Sequence, residues 1–412
     1  MIMINRLINH YLLKHELKIN PFMEFSLRWM KRVKIEKINW IDQLDTHQVE
    51  VLLEGDVLSK KPSAKCDNSF SVKQVYKTAL YTFDDALIHP RSSNFLYGSS
   101  QDFMIDRVIN ADLKYCDYST GYIRYHNQTH ALIKTKSNSK INKYNENTLY
   151  IGGNGVYNYY HWLIEIAPKL LLITSEIIEK YSIKNLILDQ SIKETPSLHE
   201  ILTLFIDHQK LELNIIYKKN NELSLFKRLY YINHQNNFVF NSKEKLSSVS
   251  YSYFSQDIIN KIRNVCLQQV QISSPQISCP EKIFLARKAN AIRGYNQSEI
   301  LEFFEQQGFT ALYLEDYSFS EQVKIFNQAK FIVGPTGAAW SNIIFSQPET
   351  QALSWLPEQI SEFSVFSTLA ALVQCDMRFL VAQAHDPENP HSDYSIDLSK
   401  IIELYQGMKM RC

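Results

Sequence analysis

Neither sign of charge prevails in this sequence: 44 Lys plus Arg stand against 43 Asp plus Glu, a formal net charge of +1. No general pull toward nucleic acid is therefore written into it. Long apolar runs are missing as well. Residues 1–20 are broken by Asn, Arg, His and Lys before any run reaches signal-peptide or membrane-span length, and no later segment reaches it. Cysteine is scarce, and the six residues (Cys66, Cys116, Cys266, Cys279, Cys375, Cys412) show no C-x-x-C spacing, which argues against a disulfide framework and for a reduced, cytoplasmic protein. Glycine numbers only 11, with Asn, Lys and Ile frequent in the manner of an AT-rich genome. Neither half of the chain opens with G-x-G-x-x-G and an acid about 20 residues on, so a dinucleotide-dependent oxidoreductase fits poorly. No D-x-D stands at the end of a predicted strand, and neither metal nor cofactor is expected.

What is present is a globular composition, 45% hydrophobic and 21% charged over 412 residues, enough for two α/β domains and an extension. Residues 1–147 read as a partly β N-terminal extension belonging to the first of these domains. Its first 50 or so residues suggest one or two helices, 60–69 a loop, and 70–147 short strands such as 122–125 and 131–133. Residues 148–272 alternate strand and helix: 149–155, 185–189, 213–217 and 228–233 are the strands, with helices from about 158, near 197–206 and over 253–271. Residues 273–412 repeat the rhythm, with strands at 282–287, 309–316, 330–334, 351–355 and 377–382 and helices from about 297, 318, 338, 360 and 395. Strand, helix, strand is the rhythm of parallel sheets with crossover helices. Ser318 and Glu321 form a capping box that fixes one helix start.

In such sheets ligands bind beyond the carboxyl ends of strands. The segment VGPTGAAWSNIIF (333–345) ends a strand in Gly334, Pro335, Thr336 and Gly337, and a helix begins near Ala338. Gly337 and Ala338 admit a close backbone approach, the helix start offers unpaired N–H groups to an anion, and Thr336, Ser341 and Asn342 add donors. Turn geometry alone accounts for the glycines equally well. Arg287 and Arg293, six residues apart in LARKANAIRGYN (285–296), can converge on a phosphate; surface salt bridging is the other common fate of such residues. In GGNGVYNYYHWLIEIAPKLLLI (152–173), Trp162, Ile166 and Leu170 with Leu163, Ala167 and Leu171 make an apolar stripe, while His161 and Glu165 lie off it one turn apart. Such a pair can deprotonate a hydroxyl, Glu165 acting itself or holding the imidazole; a capping histidine and a solvated glutamate are the alternative. Pro168 should kink or restart the helix.

Together these stretches resemble glycosyltransferase family 61 over about residues 150–400. The N-terminal signature is His161, Trp162, Leu163, Glu165, Pro168, Lys169 and Leu170. The C-terminal one runs through Arg287, Arg293, Asn296 and Glu299, then Gly308, Phe309, Ser318, Phe319, Glu321 and Gln322, and ends in Gly334, Pro335, Gly337, Ala338, Asn342 and Phe345. The resemblance implies a GT-B fold, two Rossmann-like domains facing across a cleft. It also implies an inverting transferase, with a nucleotide-sugar donor, a UDP-sugar, on Arg287, Arg293, Asn296, Thr336, Gly337, Ala338, Ser341 and Asn342. The acceptor, a saccharide or lipid-linked saccharide of bacterial surface polysaccharide (capsule) synthesis, falls to the N-terminal half with His161 and Glu165 catalytic. The protein is then cytoplasmic, with any membrane contact peripheral at the inner face. Two positions depart from the family pattern: Thr336 stands for the histidine of G-x-H-G-A, and Gln297 for the first acid of N-E-x-E. Threonine can bond a phosphate oxygen but carries no charge, so a non-catalytic glycan-binding or assembly subunit is the alternative function.

Overall fold

The computed structural model describes residues 33–65, 69–100, 102–106, 123–126, 130–134, 141–220, 222–238, 252–273, 279–288, 293–386, 389 and 392–409. The chain forms two compact units: Met1–Gly55 with Tyr76–Lys243, and Asp56–Val75 with Glu244–Cys412. The helix Gln256–Ser273 therefore goes with the second unit, not with the first as the rhythm of the sequence suggests.

The strands up to the end of the first unit are β1 (Val33–Trp40), β2 (Gln48–Ser59), β3 (Val72–Ile88), β4 (Phe95–Tyr97), β5 (Asp102–Ile105), β6 (Ile123–His126), β7 (His130–Lys134), β8 (Ile141–Tyr144), β9 (Thr148–Tyr150), β10 (Asn185–Asp189), β11 (Asn214–Lys218), β12 (Leu223–Ile232) and β13 (Asn237–Phe238). The sheet runs β11-β10-β9-β12-β3-β4-β5-β1-β7-β6. From β11 to β12 every pairing is parallel. All five residues of β10 are buried, as expected of a strand covered on both faces. Parallel neighbours need long crossovers. That between β10 and β11 holds the helix Pro196–Gln209, which starts on a proline whose missing N–H is not needed there and ends at Lys210 in a left-handed conformation (φ 52°).

Beyond β12 the sheet turns antiparallel, β3 pairing with it from Leu80 to Ile88. The N-terminal region is thus the continuation of one sheet and not an appendage. The helices expected in the first 50 residues are not found where the structure describes them: 33–40 is strand, followed by two short 3-10 turns. Residues 1–32 lie outside the described residues. The core here is aromatic, with Phe83 edge-on to Phe95 at 5.1 Å and Phe95 edge-on to Tyr231 at 5.4 Å, a geometry that adds about 0.5–1.5 kcal/mol per pair to area burial.

In the second unit β14 (Ser252–Ser255) pairs antiparallel with residues 57–58 of β2. A separate sheet contains β15 (Lys282–Leu285), β16 (Thr310–Leu312), β17 (Phe331–Pro335), β18 (Gln351–Pro357), β19 (Asp376–Ala384) and β20 (Tyr394–Ser395), in the order β16-β15-β17-β18-β19-β20. All pairings are parallel except that of β20. The helix Phe319–Gln328 has its full capping box, while residues 338–345 form a 3-10 helix. Phe284, Phe304, Phe309, Phe331, Trp355 and Tyr405 fill the core. The early segment joins here: Lys60 N–H donates to Thr368 Oγ1 at 2.9 Å and Phe379 N–H to Ser63 O at 2.9 Å.

Both sheets reverse their order. In the first, β9 lies between the strand that follows it and the later β12; in the second, β15 lies between β16 and β17. At such switch points the loops on either side diverge and leave a crevice at the carboxyl ends.

Candidate active site

At the first switch point β9 leads into residues 151–160. Gly155 has φ +74°, and a Cβ there would fall 2.4 Å from His161 Cδ2, so the missing side chain lets the imidazole lie on the loop. His161–Ile166 then winds as a π-helix, with just over four residues per turn, so that side chains four apart stand nearly in line. Its wider turn is pinned by Asn236, whose Nδ2 donates to Ile164 O at 2.9 Å, and by Trp162, whose Nε1 donates to Leu198 O at 3.0 Å. His161 Nδ1 meets Glu165 Oε2 at 2.5 Å, and Tyr160 donates its hydroxyl to Glu165 Oε1 at 2.9 Å. At Pro168 the winding changes to a 3-10 helix, Ala167–Leu172, the restart its missing N–H requires.

The pairing of His161 with Glu165 is thus present, but the carboxylate is neither solvated nor facing open space. Glu165 is 5% exposed and the His161 side chain 27%. Burial, and then the Glu165 charge, push the Tyr160 phenol far above its ordinary value, so it remains a donor. With Nδ1 committed to the carboxylate, Nε2 of His161 is the atom able to take a proton.

A second carboxylate–histidine pair adjoins the first and escapes sequence reasoning. His234, two residues past β12, directs Nδ1 to Asp106 Oδ2 at 2.7 Å. The same oxygen accepts from Tyr231 Oη at 2.7 Å and from His234 N–H at 3.0 Å. Lys169 is buried beside them, Nζ lying 3.2 Å from His234 Nδ1 and 4.6 Å from the centre of the Tyr231 ring. Burial pulls the Lys169 ammonium down to about 7 against the opposing charges of Asp106 and Glu165. Burial and then Lys169 likewise lower His234. The carboxyl-end rule that singles out the other loops applies to His234 too; Asp106, 128 residues away, carries no such signal.

At the second switch point Arg287 follows β15 by two residues. Gln297 grips its backbone from both sides: Oε1 accepts from Arg287 N–H at 2.8 Å and Nε2 donates to Arg287 O at 2.9 Å. A glutamate could perform only the first of these. The Arg287 guanidinium donates to Arg293 O at 3.0 Å and to Thr336 O, joining the loops after β15 and β17. A Cβ on Gly337 would lie 3.1 Å from Arg287 Nη2. Arg293 holds a left-handed backbone (φ +61°). Its Nε is buried without a hydrogen-bond partner among the described residues, and burial, then the Arg287 charge, lower its guanidinium.

Arg287, Arg293, Thr336 and Gly337 are therefore brought together, with Ala338 opening the 3-10 helix beside them. Two of the other expected donor-binding residues, Asn296 and Asn342, have framework contacts. Asn296 donates to Glu299 Oε2 at 2.6 Å and Ile396 O at 3.0 Å. Asn342, fully buried, donates to Gln322 Oε1 at 3.0 Å and Ala339 O at 3.2 Å. Ser341 is fully buried, with an Oγ that has no partner among the described residues.

Among the described residues no helix is long and apolar enough to cross a membrane. No curated protein matches the chain. Residues 159–353 match the family model described as Glycosyltransferase 61, a span that starts just before His161 and ends inside β18. The match takes in the His161–Glu165 pair and the whole arginine and glycine cluster, and through it the chain carries a glycosyltransferase family 61 domain and is a glycosyltransferase.

Proposed function

We propose that the protein is an inverting glycosyltransferase of GT-B arrangement, its two Rossmann-like domains facing across a cleft. It transfers a sugar from a nucleotide-diphosphate donor, a UDP-sugar, to a saccharide or lipid-linked saccharide in surface-polysaccharide synthesis. The observation that carries the reading is the pair Arg287 and Arg293 at a switch point, one with a buried unpartnered Nε, beside a glycine and a helix start. Two adjacent guanidiniums repel unless an anion joins them, and a diphosphate supplies that charge with oxygens for both. Orphan N–H groups at the start of the 3-10 helix add to it.

In this reading His161, oriented by Glu165, takes the proton of the acceptor hydroxyl at Nε2. The oxygen attacks the anomeric carbon as the bond to the diphosphate breaks, and the leaving charge falls to the guanidiniums. A single displacement inverts the configuration. No step calls on a metal. The reading includes a cytoplasmic protein that meets the membrane peripherally; among the described residues no helix is long and apolar enough to cross one.

A thermal-shift panel of nucleotide sugars tests the donor, since a ligand at 100 times its Kd stabilises by about 2.7 kcal/mol. A UDP-sugar should raise the melting temperature of the wild type and not that of Arg293→Ala, and transfer should yield the inverted anomer by NMR. Donor binding without transfer or hydrolysis would identify a binding subunit instead.

A further inference from the structure

Along the helix Gln256–Ser273, the residues Gln256, Asn260 and Arg263 stand at i, i+4 and i+7 and so share one face. That face borders a cavity of about 320 Å³, lined also by Pro348, Leu372 and Gln374. Pro348 and Gln374 come just before β18 and β19, which puts the cavity at the amino edge of the second sheet, whereas Arg287 and Gly337 stand at its carboxyl edge. The transfer reaction uses none of these residues.

Arg263 is the charged group of the lining. Its Nη1 donates to Ile344 O and Ser346 O, each at 2.5 Å, at the end of the 3-10 helix Ala338–Phe345, a place that suits a cation. One nitrogen meets that need. Nε and Nη2 have no hydrogen-bond partner among the described residues and, unlike Arg293 Nε, neither is shut away from solvent. These two atoms are the fork with which Arg91 grips Asp189 and Arg378 grips Asp376. At Arg263 no carboxylate among the described residues fills it. Burial draws this guanidinium down from its ordinary value and only the Cys375 thiol opposes the shift. Burial pushes that thiol up to about 12, so it is uncharged at neutral pH, and the positive charge beside the cavity stands uncompensated.

The other polar atoms of the lining are neutral. Gln256 Nε2 is taken by Asn260 Oδ1 and Leu372 O, both at 3.0 Å, which leaves Gln256 Oε1 and Asn260 Nδ2 to the cavity. The Gln374 amide adds a donor and an acceptor. An open guanidinium fork takes two oxygens of a phosphate or carboxylate at once, and amides that donate and accept match hydroxyls. The volume exceeds that of a bare oxyanion and is of the size that small-ligand sites have.

We propose that Gln256, Asn260, Arg263 and Gln374 form a binding site for a small anionic sugar, its phosphate or carboxylate on the Nε–Nη2 fork of Arg263 and its hydroxyls on the amides. The site stands independently of the transferase reading.

Titration calorimetry of the full chain with glucose 6-phosphate, glucuronate, inorganic phosphate and glucose tests it. At least one of the two anionic sugars should bind with a Kd below about 1 mM, and about tenfold or more tighter than phosphate or glucose; which of the two binds tells a phosphate ligand from a carboxylate one. Asn260→Asp sets a carboxylate one turn from Arg263, fills the fork from within, and should weaken binding by about tenfold or more. Arg263→Lys keeps a cation for the Ile344 and Ser346 carbonyls but lacks the fork, and should weaken it as much. Either variant decides alone if its melting temperature stays near that of the wild type. Arg293→Ala should leave the affinity within about twofold, since sites this far apart act independently. Lack of binding by both anionic sugars at about 10 mM would overturn the site, as would wild-type affinity in the folded Asn260→Asp and Arg263→Lys proteins. Loss of binding in Arg293→Ala alone would also overturn it, because the anion would then sit at the arginine cluster of the carboxyl edge. Inorganic phosphate bound as tightly as glucose 6-phosphate would overturn the assignment of a sugar.

Discussion

The two carboxyl edges are made by the same device and equipped for opposite tasks. In each, a parallel strand lies where the sheet order reverses, and a glycine admits a side chain against the backbone: His161 on Gly155, Arg287 on Gly337. They differ in what holds the polar group. At the first edge each imidazole is held at Nδ1 by a carboxylate, Glu165 or Asp106, which sets the orientation of the ring. At the second edge Arg287 is held by neutral carbonyls of Arg293 and Thr336, which orient its charge without cancelling it. The orienting partner, more than the fold, separates a proton-moving edge from an anion-binding one.

The comparison breaks most visibly at the base. Glu165→Gln or His161→Ala should lower turnover by about 10²- to 10⁴-fold, with donor affinity nearly intact; steady-state kinetics beside calorimetry checks it, and near-normal turnover in both would leave the pair structural. At the other edge, Arg293→Ala should weaken nucleotide diphosphate binding by about 1.5–3 kcal/mol by titration calorimetry. Arg287→Ala should also loosen its loop, because that guanidinium holds two carbonyls, so Arg293 is the cleaner probe.

Lys169 sharpens the contrast by pH. Its folded value, pulled down to about 7, lies below its unfolded one, so the unfolded chain binds more protons between the two values and stability rises with pH across that window. The contribution is fully present above the unfolded value, near 10.4, and lost as pH falls through about 7. Relative to Lys169→Met, the wild type should therefore gain up to about 1.4 kcal/mol per pH unit from pH 7 upward in urea titrations. A gap independent of pH would show that Lys169 stays charged. The smallest effect belongs to Gln297→Glu, which keeps the acceptor for Arg287 N–H but loses the donor to Arg287 O. About 1 kcal/mol of stability should go, seen as a lower melting temperature.

The parallel strands are legible in the sequence because strands covered on both faces read as unbroken apolar runs, as NLILD does. β3 is not: over its 17 residues Lys73, Gln74, Lys77, Asp84 and Asp85 interrupt the apolar positions, and buried and exposed residues mix. The π winding of 161–166 is invisible for a related reason, since the stripe that signals an α-helix leaves the extra residue per turn unmarked. His161 with Glu165 is legible as a local pair. Asp106 with His234 exists only once β5 and β12 share a sheet. Asn296 and Asn342 carry amides that suit a phosphate as well as a neighbouring carbonyl, and only their contacts reveal the framework role.

The bond from Lys60 to Thr368 spans 308 residues. At about 5–20 residues per second, the ribosome makes that partner roughly 15–60 s after Lys60 itself. The second unit cannot join its early segment to the helix Val365–Leu372 during synthesis until that helix has emerged. The first unit, split around that segment, must meanwhile fold with the ribbon of residues 56–75 held out of it. Such a chain is exposed to chaperones and proteases for the length of its own translation, and slow codons downstream of residue 244 would lengthen that exposure without changing a single contact.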